Sequence, residues 1–413
     1  MEADAIPQQA EQPAEQIHNA DLVVGILADF NAQAVEKTCD FLGTLPGPLR
    51  IAVLQNDQRE QRTTFETIPG LASVFLASSP LTKTDKPASG TLSVAASYQS
   101  IFAAAEEFEA RGCCIIASHL ENATPQRAWQ LAQPILQGQA DLVLPHYARR
   151  KFEGLLNASI IAPLVRALYG KRVNNPMGPD LAISRRLVEK MSAKASSNAS
   201  VSRLHPLASL TPAALCANLQ IMEVHSGTRV YPPTDWSNMS SVLTDVLTPV
   251  FLDIERNAAC WQKTRVSVPV PAIGEPFRVS EDTGSVDTSR MIESFQLANR
   301  ELGEIWGLVL PPSILVELRK LARLPVEQFR LPDELWVKVV YDFALAHRLR
   351  TISRDHLLRS MTPLYLGWVA SYAHDLNSGA MSEERRLERL SLAYETGKSY
   401  LVSRWRWPDR FNP

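Results

Sequence analysis

Asp21-Leu-Val-Val-Gly-Ile-Leu27 is a short apolar run rich in β-branched residues, with no polar residue between its ends. Such a run reads as a strand buried on both faces, the kind found inside parallel sheets. The same reading extends outward along the chain. Helical spacing over 32–42 is followed by a strand at 49–54. A helix over 97–110 leads to the strand Cys113-Cys-Ile-Ile-Ala117, and a helix over 126–137 leads to a strand at 140–144. Four strands alternate with three helices, which predicts βαβ crossovers and a parallel sheet with helices on both faces.

From Ser240 the character changes. Amphipathic helices are expected over 242–261, 288–306, 312–322, 332–347, 354–374 and 382–403. Proline-rich breaks at Ser267-Val-Pro-Val-Pro271 and Leu310-Pro-Pro312 separate them. The expected organisation is a tail over 1–19, an α/β domain over 20–235 and a mainly helical domain over 236–413. The stripe Trp336, Val340, Phe343 and His347 has the spacing of a core-facing helix. Arg348–Arg359 reads as helix-surface ion pairing, and Trp405-Arg-Trp407 as a terminus folded onto the helices.

The chain of 413 residues is 45% hydrophobic and 21% charged, with a net charge of −2. That balance is globular and argues against a nucleic-acid binder. The Gln-, Glu- and Pro-rich start lacks a signal peptide's basic and apolar segments, and no window reaches the roughly 18 apolar residues of a membrane helix. Cys39, Cys113, Cys114, Cys216 and Cys260 form an odd set without a C-x-x-C. They are expected to be reduced thiols, placing the protein in the cytoplasm.

Ligands of an open parallel sheet bind outside the carboxyl ends of its strands. The loops expected there carry Asn31, Asp57, His119, Glu121, Arg149, Arg150 and Lys151. No G-x-G-x-x-G, Walker loop or G-x-S-x-G is present, so dinucleotide, P-loop and hydrolase-elbow readings have no support.

The chain resembles retaining GT-A glycosyltransferases, akin to mannosylglycerate synthase, glucosyl-3-phosphoglycerate synthase and family-2-like relatives. The residues that carry the resemblance are Ala20-Asp-Leu-Val-Val-Gly-Ile26, Ile160–Arg172, Asn175-Pro-Met-Gly-Pro-Asp180, Val224-His-Ser-Gly-Thr-Arg229, Trp261 and Ser267-Val-Pro269. It implies a GT-A-like nucleotide-diphospho-sugar transferase fold that moves a hexose from a nucleoside-diphosphate sugar to a small polar acceptor, with a homo-oligomer as a further expectation. It places Asp57 and Asn31 at the nucleotide. Gly178-Pro-Asp180 falls where relatives carry Gly-Gly-Asp, which puts Asp180 at the sugar or acceptor.

The departures are equally specific. The metal-binding Asp-x-Asp of relatives falls on Ala117, Ser118 and His119, and their Gly-Lys-Gly falls on Ser93-Val-Ala95. A downstream Trp and Asp fall on Leu204 and Leu207, and a metal-binding His on Tyr231. Two routes restore charge at the diphosphate. His119 and Glu121, spaced i, i+2, could hold manganese or magnesium. Arg149 or Lys151 could balance the phosphates directly. The rival expectation is a catalytically silent relative that binds a sugar nucleotide or a protein.

Overall fold

The computed structural model describes residues 20–26, 51–55, 74–78, 90–116, 125–196, 207–229, 234–277, 284–379 and 381–408. The expected helix at 32–42 and the loop residues Asn31, Asp57, His119 and Glu121 lie outside them.

Strands between residues 22 and 273 form one eight-stranded sheet in the order β10-β8-β5-β7-β4-β1-β2-β3. Its strands are β1 (Leu22–Ile26), β2 (Ile51–Gln55), β3 (Val74–Ser78), β4 (Gly112–Ile116), β5 (Leu142–Ala148), β7 (Leu181–Ser184), β8 (Ile221–Thr228) and β10 (Ala272–Ile273). β6 (Lys171–Arg172) and β9 (Val268–Pro269) make a separate two-stranded pair. β1 pairs in parallel with β2 and β4, Leu22 standing opposite both Ile51 and Gly112. β5 pairs in parallel with β8.

The sheet departs from the expected all-parallel pattern at β7, which runs antiparallel between β4 and β5, with Cys113 and Leu142 both opposite Ile183. The chain leaves β5, makes an excursion of some thirty residues and re-enters the sheet from its carboxyl edge. The inserted strand therefore has to point the other way. The strand expected at 140–144 also continues to Ala148, which carries His146 and Tyr147 out to that edge.

Strand side chains alternate between two buried faces. Val23, Cys113, Ile115, Leu142, Leu144, Ile183 and Ile221 pack under α1 (Gly90–Glu107), α4 (Arg185–Ser196) and α5 (Leu207–Cys216). Leu22, Val24, Cys114, Ile116, Val143, Ala182 and Val224 pack on α2 (Pro125–Leu136).

The third core is helical. α3 (Ala162–Tyr169) follows a π-helical turn at Asn157–Ile161 and ends at Gly170, whose φ of 74° permits the left-handed cap. The later helices are α6 (Met239–Arg256), α7 (Ala258–Trp261), α8 (Thr288–Glu301), α9 (Gly303–Gly307), α10 (Pro312–Leu321), α11 (Asp333–Leu349), α12 (Arg354–Asn377) and α13 (Glu383–Arg406). Leu164, Val165 and Leu168 of α3 belong to the same apolar cluster as Trp336, Val340, Phe343, Trp368 and Leu390. The expected stripe on α11 is buried along its length, His347 included.

Several charged groups in this core are paired. Arg386, 1% exposed, reaches Asp333 and Asp375 at 2.7 Å each and lies over the Trp368 ring. Arg166 of α3 bonds Glu388 and Glu395 of α13. The ion pair Arg359–Asp355 forms at 2.8 Å on the α12 surface. Trp405 packs edge-on against Trp261 and under Arg348, as expected of a terminus folded onto the helices.

One expectation is corrected. Cys216 and Cys260 form a disulfide joining the end of α5 to α7. Their Cα atoms lie 5.8 Å apart, inside the range a disulfide spans. Cys113 and Cys114 are free and buried, as expected.

Candidate functional site

The carboxyl edge of the parallel strands is also where β7 begins, because β7 runs the opposite way. Asp180, the residue before β7, is therefore delivered to the edge where β5 and β8 end. Tyr147 at the end of β5 donates its hydroxyl to Asp180 Oδ2 at 2.6 Å. Arg229, just after β8, lies over the Tyr147 ring at 5.8 Å. Tyr98 of α1 donates to the carbonyl of Pro179, and burial with the Asp180 charge raises its pKa. A carboxylate, two phenols and a guanidinium thus meet at one point.

The loop that carries Asp180 is tied down at nearly every residue. Glu223 of β8, 2% exposed, accepts the Asn174 main-chain amide at 2.6 Å and its side-chain amide at 2.8 Å. Burial raises the Glu223 pKa, and the bonds from Asn174 and Asn175 oppose that shift. Asn157 donates to Asn174 O, Asn175 to Pro145 O and Thr211 to Pro176 O. Gly178 closes a turn onto Asn175 O, and a Cβ there would sit 2.6 Å from the Asn175 side-chain nitrogen. A carboxylate presented by so constrained a backbone is preorganised. It is also only 2% exposed.

On β5 and β8 the cross-strand partners His146 and His225 lie ring to ring, with centroids 4.9 Å apart. Burial, and then the neighbouring His225, lowers the His146 pKa from 6.5 to about 4. Among the described residues no group of three or more His, Cys, Asp or Glu is arranged to hold a metal ion.

The expected cations fare differently. The Arg149 guanidinium is engaged by Glu383 of α13 and by the carbonyls of Arg150, Lys151 and Glu153. Arg150 is exposed beside Glu153. Lys151 follows on the same loop, its carbonyl accepting from the Tyr372 hydroxyl. The structure thus brings Asp180 together with Tyr147 and Arg229, neither of which was singled out as a site residue. Arg149 is drawn instead toward the helical core. Tyr147 and Arg229 announce themselves only through the β5–β8 register, which sequence spacing does not reveal.

No family model matches the chain, and no curated protein matches it. Among solved structures, glucosyl-3-phosphoglycerate synthase from Mycobacterium tuberculosis with Mn2+, UDP and glucosyl-3-phosphoglycerate is similar at a TM-score of 0.37 and 15% identity, over 59% of this chain and 86% of that one. The same enzyme with Mn2+, UDP-glucose and phosphoglyceric acid gives 0.36 and 16%, over 64% and 95%. A crystal structure of a mycobacterial protein gives 0.32 and 14%, over 59% and 80%. Likeness at this level assigns no chemistry to the chain. No helix among the described residues is long and apolar enough to cross a membrane.

Proposed function

We propose that the chain is a GT-A-type glycosyltransferase that moves a hexose from a nucleoside-diphosphate sugar to a small polar acceptor. The observation that carries this reading is the pinned loop over 173–180, which sets Asp180 beside Tyr147 and Arg229 at the carboxyl edge of a mainly parallel sheet. Ligands of such sheets bind at that edge, and the resemblance of the flanking segments points to this substrate class. In the transfer, the anomeric carbon loses its bond to the diphosphate and gains one to the acceptor oxygen, whose proton leaves. Asp180, held by Tyr147, faces the sugar or acceptor. Arg229 and Lys151 balance charge on the departing diphosphate, the kind of contact that is worth about 10²–10³ in rate. Asn31 and Asp57 would meet the nucleotide. His119 and Glu121 remain the proposed pair for Mn2+ or Mg2+. The described residues supply no complete ligand set, so no step is routed through a metal.

A second reading, a silent relative that binds a sugar nucleotide or a protein partner, is favoured by two observations. Arg149 is committed to Glu383, and Asp180 is nearly closed to solvent.

Calorimetric titration with UDP-glucose and GDP-mannose, with manganese, magnesium or chelator, tests both readings. Binding weakened at least tenfold in Arg229→Ala, with donor hydrolysis in the parent, supports the transferase. Binding without turnover supports the silent relative. No binding of either donor removes the transferase and the nucleotide-binding form of the silent relative.

A further inference from the structure

At the opposite, amino edge of the sheet lies an open cavity of about 720 Å³, bounded by the starts of β8 and β10 and by the ends of α3, α5 and α7. That volume falls within the roughly 300–1,000 Å³ of small-molecule pockets. Its wall carries Lys171, Lys263, Asn218 and Gln220 together with the Cys216–Cys260 disulfide, and no carboxylate. The cavity is removed from Asp180 by the length of β8.

Three helices end here, so a bland account would have the lysines merely answer exposed carbonyls. That account fits Lys398 better. Its Nζ donates to Leu168 O at the end of α3 at 2.9 Å and to Thr264 O beyond α7 at 2.8 Å. Lys171 and Lys263 make no ion pair with a described residue. Two lysines thus line one polar cavity with no carboxylate of a described residue among its lining. An anion entering there meets point charges that bind phosphate and carboxylate oxygens well, with two carboxamides beside them to donate hydrogen bonds.

We propose that this cavity binds a small multivalent oxyanion, a phosphorylated or polycarboxylate metabolite, as a second site independent of the sugar-nucleotide reading. Lys171 and Lys263 supply the charge, and Asn218 and Gln220 the directional contacts. The disulfide fixes the separation of the two lips that carry them.

The test is calorimetric titration of the full chain with inorganic pyrophosphate and, separately, with citrate, without divalent metal. Binding of pyrophosphate alone assigns a phosphorylated ligand, and binding of citrate alone a polycarboxylate. Lys171→Ala/Lys263→Ala should weaken binding at least tenfold, and Lys171→Arg/Lys263→Arg should restore it to within about threefold. The proposal is overturned if neither anion binds in the millimolar range. It is equally overturned if affinity survives the double alanine change. Thermal melts of each variant confirm folding, and the arginine pair keeps the test decisive should the alanine pair unfold.

Discussion

Glu223 on β8 holds both amides of Asn174, main chain and side chain, and so fixes the start of the loop that ends at Asp180. A carboxylate buried to this degree persists only because each oxygen has a donor. The strand and the loop therefore depend on one another.

Glu223→Ala leaves both Asn174 donors without their acceptor. Stability should fall by about 1–3 kcal/mol in urea denaturation, and Glu223→Gln, which keeps one acceptor oxygen, should lose less. Equal midpoints for parent and Glu223→Ala would show that the loop is held by something else.

Asp180→Asn keeps the size of the side chain and removes its charge. In an assay of hexose transfer, kcat should drop by about 10²–10³. Tyr147→Phe removes only the 2.6 Å bond that fixes Asp180 and should cost about tenfold. Wild-type turnover in Asp180→Asn would remove this residue from the chemistry.

His347 is fully buried against Phe251, with neither ring nitrogen hydrogen-bonded among the described residues. Burial, and then Arg354 and Arg350, lower its pKa from 6.5 to about 4. The unfolded chain thus takes up this proton before the folded one does. The stabilisation is complete above pH 6.5 and declines as pH falls toward 4, by up to on the order of 3 kcal/mol. Denaturation midpoints at pH 7 and 4.5 should differ less in His347→Leu than in the parent. Identical pH slopes would refute the assignment.

The Cys216–Cys260 pairing is open to direct count. Cys216 and Cys260 are paired, and Cys113 and Cys114 are free among the described residues. Alkylation in denaturant without reductant should label Cys113 and Cys114 but neither Cys216 nor Cys260, and after reduction all four, by mass spectrometry. Labelling of Cys216 and Cys260 without reductant would mean that the two thiols sit adjacent but reduced.

Continuous apolar runs made β1, β4 and β5 legible, because burial on both faces leaves no room for polar alternation. Periodicity did the same for α11 and α12. β7 was not legible: four residues, Leu181–Ser184, say nothing about insertion between two strands far apart in the chain. Asp180 could be picked from its Gly178-Pro-Asp180 setting. Its partner Tyr147, 33 residues away, could not. Arg149 reads as a phosphate-balancing cation because Glu383, 234 residues on, is invisible to local pattern.

The π-helical turn and α3 carry a longer consequence. They sit between sheet strands in the chain, yet Leu164 and Leu168 help form the helical core, and Arg166 is clasped by α13. A break near residue 235 would strip that segment of its cover and leave a cation facing no carboxylate. The two halves are accordingly expected to unfold in a single transition, which calorimetry of the full chain checks.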